Sequence, residues 1–119
     1  MKRTIRATVA YDGTDFSGWQ VQENQRTVQG VFEQALAGIH GCRVPVVAAG
    51  RTDAGVHALG QVVSFRTGIN SLTEEVMPRA VNSYLPSDVR VISAAETEDG
   101  FDARRSALMR LYRYQIRPG

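Results

Sequence analysis

An arginine, an aspartate and a histidine fall within seven positions in the stretch Gly50-Arg51-Thr52-Asp53-Ala54-Gly55-Val56-His57-Ala58. An aspartate can serve as a nucleophile or a proton acceptor, which makes Asp53 the first candidate for chemistry in the chain. The stretch is bracketed by glycines and lies between a short apolar run, Val44 to Ala49, and an alternating one, Gln61 to Phe65. Strands on both sides would fix the ends of such a loop, and glycines permit backbone angles that other residues resist. Other readings stand beside this one, the plainest being that His57 is an ordinary loop residue. Arg51 and Asp53 could form a surface ion pair worth ~0–1 kcal/mol. Alternatively, Asp53 and His57 could be metal ligands of a hydrolase, although too few further ligands are evident.

The elements that must hold the loop are read from periodicity. Thr4 to Tyr11 alternates, with Ile5, Ala7 and Val9 on one face, and predicts a first strand. Asp12-Gly13-Thr14 is a turn signal. After Thr27, placed as an N-cap, Val28, Val31, Phe32, Ala35, Leu36 and Ile39 recur at helical spacing, and Gly41 is placed to end the helix. Pro45 to Ala49 and Gly60 to Arg66 predict a second and a third strand. A second helix is predicted from Ser71 or Thr73 to about Tyr84, with capping-box spacing between Ser71 and Glu74. Pro78 would remove a hydrogen bond and clash inside that helix, so the helix either starts later than Thr73 or is kinked. Val89 to Ala95 predicts a further strand, Glu96 to Arg105 a polar connection, and Leu108 to Arg117 a last strand. This order predicts an α+β domain of the ferredoxin-like, split β-α-β type: an antiparallel sheet with two helices on one face.

A length of 119 residues suggests one domain. The single cysteine, Cys42, excludes an internal disulfide and a cysteine zinc site, and it fits a reducing compartment. Lys2, Arg3 and Arg6 are not followed by the apolar stretch of a secretion signal, and no apolar run approaches the ~20 residues of a membrane span. The expected location is cytoplasmic, with no membrane partner. The net charge of +2 hides an asymmetry, because residues 101–119 carry five arginines against one acid. Thirteen of the fourteen basic residues are arginine, a planar fork suited to phosphates and to stacking on bases. The clustering points to nucleic acid; the bland account is a compositional bias of the genome plus a solvated face.

Several further stretches join the loop in a recognisable order. They are Tyr11-Asp12-Gly13-Thr14 with Phe16 and Gly18-Trp19-Gln20, then Thr27-Val28-Gln29-Gly30, then Ala49 to Ala58 with Gly60-Gln61-Val62. Asn82 with Leu85-Pro86 and Asp88 follows, then Phe101 with Ala103-Arg104, and finally Arg110 with Tyr112-Arg113-Tyr114. Across essentially its whole length the chain resembles the N-terminal half of the TruA-type tRNA pseudouridine synthases. The Gly-Arg-Thr-Asp-Ala-Gly-Val-His segment is the most specific part of the match. The resemblance implies a single N-terminal catalytic domain over residues 1–119, with the family's second, similar domain absent from this chain. It also implies an isomerase that turns uridine into pseudouridine at positions 38–40 of the tRNA anticodon stem-loop, working as a homodimer and needing neither metal nor cofactor. In that reaction the N1–C1′ bond breaks, the uracil turns within the site, and C5 bonds to C1′.

The resemblance implies that Asp53 is the essential catalytic aspartate. It would attack C1′, or abstract a ribose proton to give a glycal; older proposals put the attack on C6 of the base, and the sequence leaves the routes open. Arg51 is expected to pair with Asp53, keep it ionised and help hold a flipped-out nucleotide. Tyr112 is expected to stack on the target uracil, although a strand tyrosine alone reads as core and Tyr114 shares its face. Asp12, Gly13, Trp19 and Gln20 are expected to meet tRNA through backbone amides and an aromatic ring, while Trp19 equally fits a loop residue folded back on the core. Arg104 and Arg110, together with Arg105 and Arg113, are candidates for phosphate. His57 is expected to support the loop or touch RNA, and His40, at a helix end, to be structural. A reading from another class is a non-catalytic RNA-binding module, which would have no need of the Arg51–Asp53 pair.

Overall fold

Alternation along the first strand, β1 (Arg3–Tyr11), buries Ile5, Ala7, Val9 and Tyr11 on one side. The structure, a computed structural model, describes residues 2–98 and 101–108. In it β1 is flanked by two antiparallel neighbours, β3 (Ala58–Thr67) and β4 (Val89–Thr97), while the short β2 (Val47–Ala48) pairs with β3. The resulting order, β2-β3-β1-β4, is that of the split β-α-β fold.

Both helices, α1 (Val28–His40) and α2 (Met77–Asn82), cover the same face. Val28, Phe32, Leu36, Met77 and Val81 form one buried cluster with Ile5, Val9, Val63 and Phe65 of the sheet. Thr27 caps α1 as its spacing predicts, with its Oγ1 accepting the Gly30 N–H at 3.2 Å, and the Gly41 N–H closes the other end on the Ala37 carbonyl. His40 is structural: Nδ1 lies 2.7 Å from the Leu36 carbonyl and Nε2 lies 2.8 Å from Thr67 Oγ1. A neutral ring donating through Nδ1 and accepting through Nε2 fits both contacts.

Several boundaries depart from the expectations, each for a physical reason. The second strand shrinks to Val47–Ala48 because α1 side chains take the preceding backbone: Glu33 accepts the Val46 N–H at 2.9 Å, and Gln29 donates to the Val46 carbonyl at 3.2 Å. The second helix begins at Met77, which resolves the Pro78 difficulty by placing the proline in the first turn, where a missing N–H breaks no helical bond. The Ser71–Glu74 capping box does not form, since the Glu74 carboxylate instead accepts the Glu96 N–H of β4 at 2.6 Å. Strand β4 runs on to Thr97, paired with Thr4. Its irregularity opposite Thr8 and Val9 is met by Asn82, whose amide accepts the Val91 N–H at 2.7 Å and donates to the Val91 carbonyl at 3.0 Å.

The predicted polar connection is cut short, because residues 103–108 are helical. Asp102 caps that stretch by accepting the Arg105 N–H at 2.8 Å. The buried Ala103 donates to Ser64 Oγ, which alternation puts on the side of β3 away from α1. Leu108, expected to open the last strand, therefore belongs to this helical stretch, and the rest of that strand lies outside the described residues. No helix among the described residues is long and apolar enough to cross a membrane.

Candidate active site

The loop carrying Asp53 joins β2 to β3 and rests on the loop that follows β1. Two backbone contacts bind the two loops, and a third bond closes a turn within the Asp53 loop. The Trp19 N–H donates to the Thr52 carbonyl at 3.0 Å, the Gly55 N–H donates to the Phe16 carbonyl at 3.2 Å, and a turn closes from the Val56 N–H to the Asp53 carbonyl. Side chains add to them. The hydroxyls of Tyr11 and Thr52 lie 2.7 Å apart, and Gln61 of β3 donates to the Gly50 carbonyl at 2.7 Å. The two loops lie so close that a Cβ on Gly13 would run into the Val56 carbonyl oxygen, and one on Gly18 would lie 2.8 Å from that of Thr52. Of the glycines framing the stretch, Gly55 has a positive φ and Gly50 does not.

Asp53 is therefore an exposed carboxylate on a braced segment, with Thr52 and Gly55 pinned on either side of it. Arg51 is exposed as well, and the expected Arg51–Asp53 ion pair is not among the pairs formed by the described residues. Two solvated side chains gain too little from pairing, ~0–1 kcal/mol, to hold each other in one geometry. Arg51 instead shares a depression of about 200 Å³ with Trp19, Gln20, Gln29 and Arg104. Arg51, Gln20 and Arg104 thus come to one place although 83 residues separate Gln20 from Arg104 in the chain.

Two residues expected to meet tRNA are withdrawn from the surface. Trp19 is only 3% exposed and packs against Tyr11 with ring centroids 6.2 Å apart, so its faces are spent on the core and not offered to a base. Gly13 is buried, and its N–H donates to His57 Nδ1 at 2.9 Å, so that amide is not open to a phosphate. Asp12 caps the 3-10 turn at Gly13–Asp15, its Oδ1 accepting from the Thr14 backbone and hydroxyl. The hydroxyl contact of Thr14, then its N–H, and the nearby His57 hold the Asp12 carboxyl below the usual value. Tyr112 and Arg110 lie outside the described residues.

Sequence reasoning gave no role to the residues that brace the bed. Arg26 grips Asp88 with two hydrogen bonds, at 2.9 and 3.1 Å, and lies 4.1 Å over the Phe16 ring. The Asp88 carbonyl in turn accepts the Asp12 N–H. An Arg-over-aromatic contact joined to a forked carboxylate contact ties the first loop to the start of β4. Tyr11, Phe16 and Gly18 were visible as parts of motifs, but nothing in their types tells which loop they meet. Among the described residues no three side chains of His, Cys, Asp or Glu converge as metal ligands would.

Fold and site together define an α+β domain that presents a carboxylate on a braced loop between two strands. A family model described as tRNA pseudouridine synthase matches residues 7–104, and the chain belongs to that family. Among its curated relatives, the tRNA pseudouridine synthase A of Bacillus pumilus (strain SAFR-032) is 51% identical over 114 residues, covering 94% of this chain and 46% of the relative. The protein of the same name from Brachyspira hyodysenteriae (strain ATCC 49526 / WA1) is 49% identical over 112 residues, covering 94% of this chain and 45% of the relative. That of Halalkalibacterium halodurans is 51% identical over 117 residues, covering 98% and 44%. The chain spans less than half the length of these relatives.

Proposed function

We propose that residues 1–119 form the amino-terminal, catalytic domain of a tRNA pseudouridine synthase. It isomerises uridines at positions 38–40 of the anticodon stem-loop, in a cytoplasmic homodimer. The observation that carries this reading is the placement of Asp53: an exposed carboxylate whose flanking residues, Thr52 and Gly55, are both held by backbone hydrogen bonds to the preceding loop. A reacting group on a segment fixed at both sides keeps its reach and direction without being buried. Surface exposure suits a substrate too large to enter a closed pocket. A base in the anticodon arm must leave its stack to meet Asp53, so part of the binding energy goes into extrusion.

In this reading the Asp53 carboxylate meets the ribose of the extruded nucleotide, either at C1′ or at a ribose proton. The glycosidic bond breaks, and the freed uracil rejoins through C5. Arg51 and Arg104, in one depression with Gln20, offer two guanidinium groups to the phosphates flanking that nucleotide. Tyr112 stacks on the uracil and Arg110 meets phosphate.

The test is tritium release from C5-labelled uridine in tRNA by the full-length protein, its Asp53→Asn variant and the 119-residue chain. Release by the parent that is lost in Asp53→Asn, with tRNA affinity kept, is expected. Full release by Asp53→Asn would refute the assignment. A folded parent that binds tRNA and releases no tritium would point to a binding module instead.

A further inference from the structure

His57 is a titratable side chain of the braced loop to which the proposed chemistry gives no task. Its Nδ1 lies 2.9 Å from the Gly13 amide nitrogen and 3.1 Å from Asp12 Oδ1. One ring nitrogen cannot satisfy both neighbours at once. Without a proton, Nδ1 accepts the Gly13 N–H with its one lone pair and faces the Asp12 oxygen with no hydrogen between them. With a proton, it donates to Asp12 and leaves the Gly13 N–H without its acceptor. Gly13 is buried, so that orphaned amide is costly, whereas Asp12 is exposed and water can replace what it loses.

The two states brace the loop differently. Neutral His57 ties the Asp53 segment to a buried backbone amide at the point where Gly13 and the Val56 carbonyl already touch. Protonated His57 is tied to an exposed side chain. The charged groups around the ring have opposing effects. Asp12 favours the imidazolium and stays anionic, held so by its Thr14 contacts. Arg90 lines the same hollow as Asp12, His57, Leu59 and Asp88 and opposes it. The Asp88 carboxylate is occupied by Arg26.

We propose that His57 is a positioning residue for Asp53: its neutral ring, accepting the Gly13 N–H, holds the loop in its working geometry, and protonation trades that bond for Asp12 and releases it. The proposal rests on the catalytic reading of Asp53. Asparagine places an uncharged acceptor oxygen near the position of Nδ1 and cannot be protonated, so it separates the acceptor from the titration.

The experiment uses the full-length protein with His57→Asn and His57→Ala, and follows tritium release across pH 5 to 8 at saturating tRNA. The parent kcat is expected to fall on the acid side. His57→Ala lowers it roughly fivefold at neutral pH, the scale of one lost hydrogen bond, and has no acid limb, so the parent falls toward it as the pH drops. His57→Asn recovers most of that loss and has no acid limb above pH 5. In parallel, ¹⁵N-labelled histidine and glycine are followed by NMR, where the Gly13 amide shift is expected to move with the same midpoint as the His57 ring. An acid limb retained in His57→Asn, or a Gly13 amide that stays flat while His57 titrates, would overturn the proposal. Full turnover by Asp53→Asn would sink the catalytic reading itself. The NMR result distinguishes that failure, because it reports the Gly13–His57 exchange whether or not Asp53 does chemistry.

Discussion

Replacing Gly18 by alanine tests whether the bed under Asp53 is as tight as the geometry requires. Gly18 has φ +95°, and its added Cβ would lie 2.8 Å from the Thr52 carbonyl oxygen. A left-handed backbone costs a residue with a Cβ about 1–2 kcal/mol. The contact adds a second cost, because the oxygen is backbone and already accepts the Trp19 N–H at 3.0 Å. Moving it away to make room weakens that bond, worth about 0.5–1.5 kcal/mol. The sum, roughly 1.5–3.5 kcal/mol, is a large share of the ~5–15 kcal/mol that holds an ordinary domain together. Gly50, inside the motif itself, is the control: its φ is not positive and nothing lies within 4 Å of a Cβ there, so Gly50→Ala is expected within about 0.5 kcal/mol of the parent. Urea unfolding followed by the fluorescence of Trp19, the only tryptophan, reads both variants at the place where the strain arises. At about 4 °C per kcal/mol, Gly18→Ala should also lower Tm by roughly 6–14 °C. A Gly18→Ala cost below 1 kcal/mol, or a Gly50→Ala cost equal to it, would refute the argument.

Two further outcomes are expected. Arg26, by hydrogen bonding to Asp88, holds that carboxyl below its usual 3.8, so the pair stabilises the fold above that value and its contribution is lost as pH falls through the lowered one. With the Arg26 side chain 41% exposed, screening limits the contribution to ~0–1 kcal/mol. Asp88→Asn should therefore shift the urea midpoint at pH 7 and make little difference near pH 2; an equal shift at both would mean the carboxylate charge is not what counts. Arg104→Ala should reduce the slope of log affinity for tRNA against log salt by about 0.7–0.9, the share of one phosphate contact. A slope unchanged within error would make Arg104 structural.

Periodicity carried most of the fold. The apolar spacing of α1 and the alternation of β1 are properties of the covalent chain, because each follows from a fixed number of residues per repeat, and both elements formed where they were expected. Pro78 likewise announced either a late helix start or a kink, since its missing N–H acts wherever the ring sits, and the packed chain takes the late start. The boundaries that moved did so through contacts far along the chain. Glu33 and Gln29 took up the backbone before β2, and Glu74 bonded to β4 instead of closing its own cap.

The candidate site divides in the same way. The residue types at 51, 53 and 57, and the turn chemistry around them, are local facts, and they singled out Asp53 without any fold. Which loop lies under that aspartate is not local. Gly13 and Gly18 are ordinary turn glycines until the β1–β3 pairing brings Val56 and Thr52 against them. Trp19 reads equally well as a platform for a base or as core, and only its packing on Tyr11 decided for the core. Arg51 and Asp53 are a tempting pair at a spacing of two, yet solvent competes with such a contact, while Gln20 and Arg104 meet Arg51 across a depression that exists only once the sheet has closed. The sequence by itself determined which groups could react and the strands that would bracket them. The tertiary structure alone decided what those groups rest on, because burial and close approach depend on elements distant in sequence.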